Sequence, residues 1–294
     1  MTGRPPRLTR CLALLLSLAG AAGAIASPEA DSLRSHHAGM APQLANSAFH
    51  QPLVLESTQT SGDLKGDVFA VVEHEFGKLE AALQGVEVWC DVLILHLNVK
   101  YCHSTGKGAS GSIALAVGKK GDQDIADAYQ ANFAYQLAAA APDYLKVQLS
   151  AKEGPMGTSN YRILFEATPL DATHSFVHMS YAYGYGFTAR IAMQGYLATV
   201  GRNKVGFTVV GKKSDGQPVY VDNVRGVVER NTMRYYLAID TYLATLSLPA
   251  AQRDEKRMHD WFIATERYPR QLHEMEEGEY MAMKRKELAR QRAS

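Results

Sequence analysis

The residues best equipped for chemistry fall in two short runs. Glu73-His74-Glu75 puts two carboxylates beside an imidazole, the raw material of a metal site or of acid–base work. In a strand, however, His74 points away from both acids, which argues against one shared ion. The second run is Ser175–Phe187, SFVHMSYAYGYGF, where His178 and Ser180 share a strand face. Positions two apart on a strand do not by themselves make a nucleophile–base pair. His174 and His178 are separated by two strand repeats, and His96 and His103 read as packing or surface residues. There is no G-x-S-x-G elbow and no P-loop pattern, and Gly184 and Gly186 lack the Rossmann spacing. The sequence therefore names no catalytic residue, no metal ligand set and no cofactor, and non-enzymatic function is the preferred reading.

What the second run does sort is size. As a strand it puts Val177, Met179, Tyr181, Tyr183, Tyr185 and Phe187 on one face and His178, Ser180, Ala182, Gly184 and Gly186 on the other. A row of aromatics opposite a row of small residues suits a curved sheet around something apolar, with the glycines permitting the bend. For any one tyrosine, core packing is the commoner role. As a group they argue for a pocket, because phenol hydroxyls fill a dry core poorly unless paired.

The elements that position this face can be read along the chain. Leu53–Thr60 and Asp67–Glu73 are expected strands, Phe76–Gln84 a short helix, and Val86–Leu97 an apolar segment that fits strand or helix. Gly111–Lys119, Asn132–Ala138, Tyr144–Lys152 and Tyr161–Thr168 then alternate as half-buried strands of an antiparallel meander, the last setting Ile163 and Phe165 against Arg162 and Glu166. Thr188–Val200 has a helical period, and Val205–Val210 and Pro218–Asn223 form a hairpin. The best helix is Gly226–Leu246. At one hundred degrees per residue, Val228, Thr232, Tyr235, Tyr236, Ile239, Tyr242, Leu243 and Leu246 share one arc. Arg230, Arg234, Thr241 and Thr245 lie opposite. Asp240 sits at the margin of the arc, either as an anchor for a ligand's polar end or as a surface partner of Arg234 or Tyr236; the structural role is preferred.

The two ends differ from this core. Arg4, Arg7 and Arg10, the apolar run Leu12–Ala22 and the small-x-small site Ala24-Ile25-Ala26 read as a signal peptide over residues 1–26, with a retained anchor as the competing reading. Cys11 is misplaced for a lipid-modified cysteine. The expected product is secreted across the inner membrane, and periplasmic if the source is Gram-negative. Losing those three arginines leaves 28 Lys and Arg against 30 Asp and Glu, and nothing in that balance calls for nucleic acid. In an oxidising compartment Cys90 and Cys102 form one disulfide, which requires a chain reversal near Asn98; two buried free thiols are the alternative. Residues 27–52 read as a flexible leader. Residues 249–294 read as a charged helical extension, an appendage anchored by Trp261, Phe262 and Ile263. Its tail, MKRKELARQR, offers a transient contact with anionic headgroups, although a solvated helix end is preferred because the tail lacks an apolar face.

The segments FGKLEAALQGVEVW, YLKVQLSAK, NYRILFEAT, SFVHMSYAYGYG and ERNTMRYYLAIDTYLATL, in that order, resemble the helix-grip fold of the START and Bet v 1-like superfamily over residues 53–248. The resemblance implies an α+β domain in which a bent antiparallel sheet grips a long C-terminal helix around a cavity. Its members commonly bind lipids, sterols or other hydrophobic molecules, and some are enzymes. The helix at Thr188–Val200, the hairpin after it and the C-terminal extension depart from the pattern. The expected function is thus that of an exported binding or carrier protein for a hydrophobic small molecule such as a lipid. Its expected site comprises Phe165, Met179, Tyr181, Tyr183, Tyr185, Tyr235, Ile239, Asp240 and Tyr242. An envelope interaction protein acting through its C-terminal helices ranks second, and a hydrolase or cyclase of a hydrophobic substrate third.

Overall fold

A computed structural model describes residue 2, residues 27–198 and residues 204–293. The expected signal peptide lies almost wholly outside the described residues. The first element is a helix, α1 (Pro28–Ala45), where a flexible leader was expected. The Ser27 hydroxyl caps it by accepting from the Ala30 N–H at 3.1 Å, Pro28 occupies the first turn, and Glu29 and Asp31 suit the positive helix end. Ala30, Leu33, Met40 and Leu44 bury against Phe69, Tyr144 and Phe176 on the outer face of the sheet. Tertiary burial, rather than a strong amphipathic pattern, holds this helix.

The hairpin β1 (Leu53–Gln59) and β2 (Asp63–Val72) leads into two short helices, α2 (Phe76–Leu83) and α3 (Val88–Leu93). The ambiguous apolar segment is therefore helical at its centre. Cys90 on α3 is disulfide-bonded to Cys102 across the reversal at Asn98, with Cα atoms 5.3 Å apart. Six strands follow: β3 (Val99–Lys107), β4 (Ser110–Val117), β5 (Tyr129–Ala141), β6 (Tyr144–Glu153), β7 (Thr158–Pro169) and β8 (Ser175–Tyr185). All pairs are antiparallel, in the order β1-β2-β8-β7-β6-β5-β4-β3, so the last meander strand returns to pair with β2. After β8 come α4 (Phe187–Ala198) and the small hairpin β9 (Val209–Lys212) and β10 (Pro218–Tyr220). Then follows the long helix α5 (Asn223–Ala244), packed against β1, β2 and β8. Leaving β1 aside, this is the helix-grip arrangement: a strand, two helices, a meander that closes on that strand, and a long helix.

The C-terminal segment corrects the expectation of an appendage. Helices α6 (Ala250–Glu266) and α7 (Pro269–Leu272) close over the side of α5 turned away from the sheet, and α8 (Glu277–Arg292) packs on α6 and β3. The polar side of α5 is consequently buried too: Arg230 and Arg234 are each 2% exposed, Thr241 5% and Thr245 1%. Trp261 and Tyr280 stack at 5.2 Å, and the Trp261 indole N–H donates to the Arg234 carbonyl at 3.1 Å. Ile263, expected as an anchor, is 43% exposed and points outward. Burying rings of this size removes roughly 150–250 Å² each from water, enough to make the three helices integral to the core.

The basic tail is engaged within the fold. Lys284 is fully buried and donates to the carbonyls of His96 and Val99 and to Glu287 Oε2 at 2.7–2.9 Å. Lys100, equally buried, reaches Glu287 Oε1 at 3.1 Å and the Leu97 carbonyl at 2.8 Å. Burial lowers both ammonium pKa values against the opposing pull of Glu287, that of Lys284 to about 8. Lys286 pairs with Asp122, Arg285 with Glu255 and Arg292 with Asp254. Contact with a membrane surface through this tail would compete with those pairs. Among the described residues no helix is long and apolar enough to cross a bilayer.

Candidate ligand-binding site

The inner face of the sheet carries a connected row of rings. Phe133 on β5 meets Tyr161 on β7 at 5.8 Å, and Tyr161 stacks on Tyr183 at 5.3 Å. Tyr181 touches Tyr161 and Tyr183 edge-on at 6.0 and 5.5 Å, and reaches Tyr235 of α5 at 5.4 Å. Tyr235 in turn stacks on His96 at 4.6 Å. Tyr161 enters this row through a bulge: the β7–β8 register slips between Ser159 and Arg162, and Asn160 takes a left-handed φ of 50°. Its hydroxyl exchanges a 2.7 Å hydrogen bond with Thr158. Burial pushes the phenol pKa values of Tyr161, Tyr181, Tyr183 and Tyr235 upward, so all four remain neutral.

These rings enclose a cavity of about 50 Å³ between sheet and helix, walled by Leu115, Ala131, Phe133, Tyr161, Tyr181 and Tyr235 and closed at one end by Gly154 and Pro155. That volume holds one or two waters, whereas pockets for drug-sized ligands run to roughly 300–1,000 Å³. The described conformation is packed shut. Its closing end is also where large apolar side chains face outward: Met156 is 52% exposed, and Phe187 and Ile191 on α4, which packs beside it, are 78% and 53% exposed.

Of the nine residues expected at the site, Tyr181 and Tyr235 line the cavity, and Tyr183 supports it through Tyr161. Phe165 and Met179 lie deeper in the core, where Phe165 meets Trp89 at 6.3 Å. Tyr185 sits at the sheet end, donating to the Thr60 carbonyl at 2.7 Å. Ile239 is core, and Tyr242 lies under the Arg257 guanidinium at 4.2 Å. Asp240 faces His74, Oδ1 to Nε2 at 3.2 Å, away from the cavity. Tyr161, Phe133 and Leu115 were missed as site residues. Alternation with Ile163 and Phe165 could have placed Tyr161 on the inner face, but not its aim, which depends on the bulge.

The outer face holds the His178 network. His178 lies between Asp67 Oδ1 at 2.9 Å and Glu166 Oε1 at 2.8 Å, stacked on Phe69 at 4.2 Å, and Tyr144 donates its hydroxyl to the other Glu166 oxygen. Burial opposes charge on the imidazole, but the two carboxylates outweigh it and raise the His178 pKa. Burial likewise opposes ionisation of Asp67 and Glu166, and their hydrogen bonds with His178 prevail and lower both. A doubly protonated ring that donates from both nitrogens has no lone pair to activate Ser180. Among the described residues, no group of three or more His, Cys, Asp and Glu is arranged to hold a metal ion.

No family model matches the chain, and no curated protein matches it. Among solved structures it is similar to the ZhuI aromatase/cyclase of Streptomyces sp. R1128 at 12% identity, with 64% of this chain and 98% of that one covered and a TM-score of 0.37. A conserved protein from Geobacillus kaustophilus follows at 11% identity, 62% and 96% coverage and a TM-score of 0.36. A truncated norcoclaurine synthase from Thalictrum flavum gives 13% identity, 49% and 89% coverage and a TM-score of 0.33. The fold is read from the strand order and not from these superpositions. By the closure of its meander on β2 and the long helix that follows, the chain has the helix-grip fold of Bet v 1-like proteins.

Proposed function

We propose that this protein is an exported, non-enzymatic binding or carrier protein for a hydrophobic small molecule such as a lipid, held between the inner sheet face and α5. The observation that carries the reading is the tyrosine-lined cavity, apolar in its walls and furnished with phenol hydroxyls that can meet a polar end. Because the closed cavity is small, entry requires a movement, and α4 with the Gly154–Met156 turn is the element to move. Its outward apolar side chains match an incoming apolar ligand, and Arg190 ties it to the sheet end, donating to the Ser61 carbonyl at 2.6 Å and lying over the Tyr185 ring at 5.6 Å. Apolar burial of roughly 25 cal/mol per Å² would drive uptake, less the cost of opening.

The test is native mass spectrometry with parallel lipid extraction, on full-length protein purified without detergent. A stoichiometric hydrophobic ligand is expected, and Ala131→Leu, which fills the cavity, should lower its occupancy. A protein that is empty and takes up nothing from a broad lipid pool overturns the reading. That result would favour an interaction protein with a filled core, acting through the outer surface of α6 and α8.

A further inference from the structure

Most of the large apolar side chains that the fold leaves in water are gathered in one part of the chain. Eight are exposed among the described residues, and six of these belong to α4, to the turn it packs on, or to the β9–β10 hairpin: Met156, Phe187, Ile191, Val209, Val210 and Val219. Helix α4 is apolar on two sides. Ala189 and Met193 are buried against the domain, whereas Phe187 and Ile191, one turn apart, project together into solvent. The hairpin behaves alike: Val209 and Val210 are adjacent on β9 and point to opposite faces, yet both are more than half exposed, at 52% and 57%. Scattered apolar residues need no explanation, but a concentration of this kind marks a contact surface.

Both elements stand at the same end of the molecule. Arg190 ties α4 to the turn between β1 and β2 at the Ser61 carbonyl. The hairpin is held to β1 a few residues before that turn: Thr208 at its base donates to Glu229 Oε1 at 2.6 Å, and the same oxygen accepts from Ser57. From Ala172 to Ser214 the sequence holds no Asp or Glu. Arg190, Lys212 and Lys213 are exposed there, and none pairs with a carboxylate among the described residues. The nearest acids lie outside this run. Asp63 is engaged by Arg162, Glu153 adjoins Lys152, and Asp215 and Asp222 follow beyond it.

We propose that α4 and the β9–β10 hairpin form a docking surface for an anionic lipid bilayer. The apolar side chains enter the headgroup region, and Arg190, Lys212 and Lys213 meet lipid phosphates. Apolar insertion and cation attraction add, and only the second is screened by salt. A second copy of the chain fits this surface less well, because a two-fold contact sets the same cations against one another. The two elements are also those that interrupt the helix-grip order between β8 and α5, so the surface is an addition peculiar to this chain. Docking does not rest on the carrier reading. It bears on that reading only because α4 and the Gly154–Met156 turn close the tyrosine-lined cavity.

The experiment is co-sedimentation of the full chain with vesicles of phosphatidylcholine alone and of an equal mixture of phosphatidylcholine and phosphatidylglycerol. Partition into the mixed vesicles should be at least about tenfold stronger and should weaken as salt is raised. Phe187→Ser with Ile191→Ser should lower it by about tenfold. Lys212→Gln with Lys213→Gln should lower it by about tenfold and remove most of the preference for the anionic lipid. All four side chains are exposed, so both variants should melt with the wild type. Equal binding to the two kinds of vesicle, or folded variants that bind as the wild type does, overturns the proposal. So does a dimer that ignores vesicles and dissociates in the Phe187→Ser, Ile191→Ser variant, which would give the surface to a second copy. Lipid extraction from the same preparation keeps the two readings apart. Docking by a chain with an empty cavity supports the surface and removes the carrier reading; a lipid-loaded chain that ignores both vesicles does the reverse.

Discussion

The outer face of the sheet and the covered side of α5 handle buried charge in opposite ways. On the outer face, His178 sits between Asp67 and Glu166, Lys65 reaches Asp67 at 3.0 Å, and Tyr144 completes Glu166. Two cations meet two anions, and each of these ring nitrogens has a partner. On the covered side of α5, Lys120, Lys204 and Arg234 converge on Glu274, and Nε of Arg234 is left without a hydrogen bond. A saturated network fixes structure; one with an orphaned buried donor leaves part of its desolvation cost unmet. The first holds β2, β7 and β8 together under α1.

The contrast can be broken most severely at His178. His178→Leu strands two buried carboxylates, and urea denaturation at pH 6 should show a loss of about 3–5 kcal/mol. Linkage sharpens this. The raised His178 pKa contributes stability that is complete below about 6.5 and fades as pH climbs through the higher folded value. The lowered Asp67 and Glu166 contribute stability that is complete above about 4.5 and fades as pH falls through their folded values. The wild-type advantage over His178→Leu should therefore be greatest near pH 5–6 and shrink toward pH 9; a gap that grows with pH contradicts the imidazolium assignment.

Next in size is Glu274→Gln, which leaves the inner cations without their carboxylate. A loss of about 2–3 kcal/mol by urea denaturation is expected. Tyr144→Phe removes a single hydrogen bond to a charged acceptor on the outer face and should cost about 1.5 kcal/mol by thermal or urea unfolding. The smallest effect separates the two regions most cleanly. Lys120→Gln should change stability by less than about 1 kcal/mol, in either direction, because losing one of several crowded cations relieves repulsion as it removes a contact. A loss as large as that at His178 would mean that the inner group is structural as well.

The sheet was legible in the sequence because alternation is local: Tyr144–Lys152 and Ser175–Phe187 state their faces within a few residues. The long helix was legible by its arc, and the cysteine pair by the reversal it required. What escaped depended on partners distant in the chain. Helix α1 was announced by Ser27-Pro28-Glu29, but its apolar residues are too sparse for a stripe, and it takes its stability from Phe69, Tyr144 and Phe176. Arg230 and Arg234 looked like a solvent-facing side until α6, α7 and the turn at Glu274 covered them. The cavity wall escaped in part because Tyr161 is aimed by a bulge, and bulges leave no periodicity to read.

The lysine pair at the end of the fold bears on how the chain is made. Lys100 is committed to a fully buried position, and the carboxylate that neutralises it, Glu287, comes 187 residues later in the chain. A chain released short of that point holds an ammonium in the core with no counter-ion, and its α6 and β3 lack the cover of α8. A chain cut before Glu287 is thereby marked by its own instability, and becomes a conspicuous substrate for proteolysis.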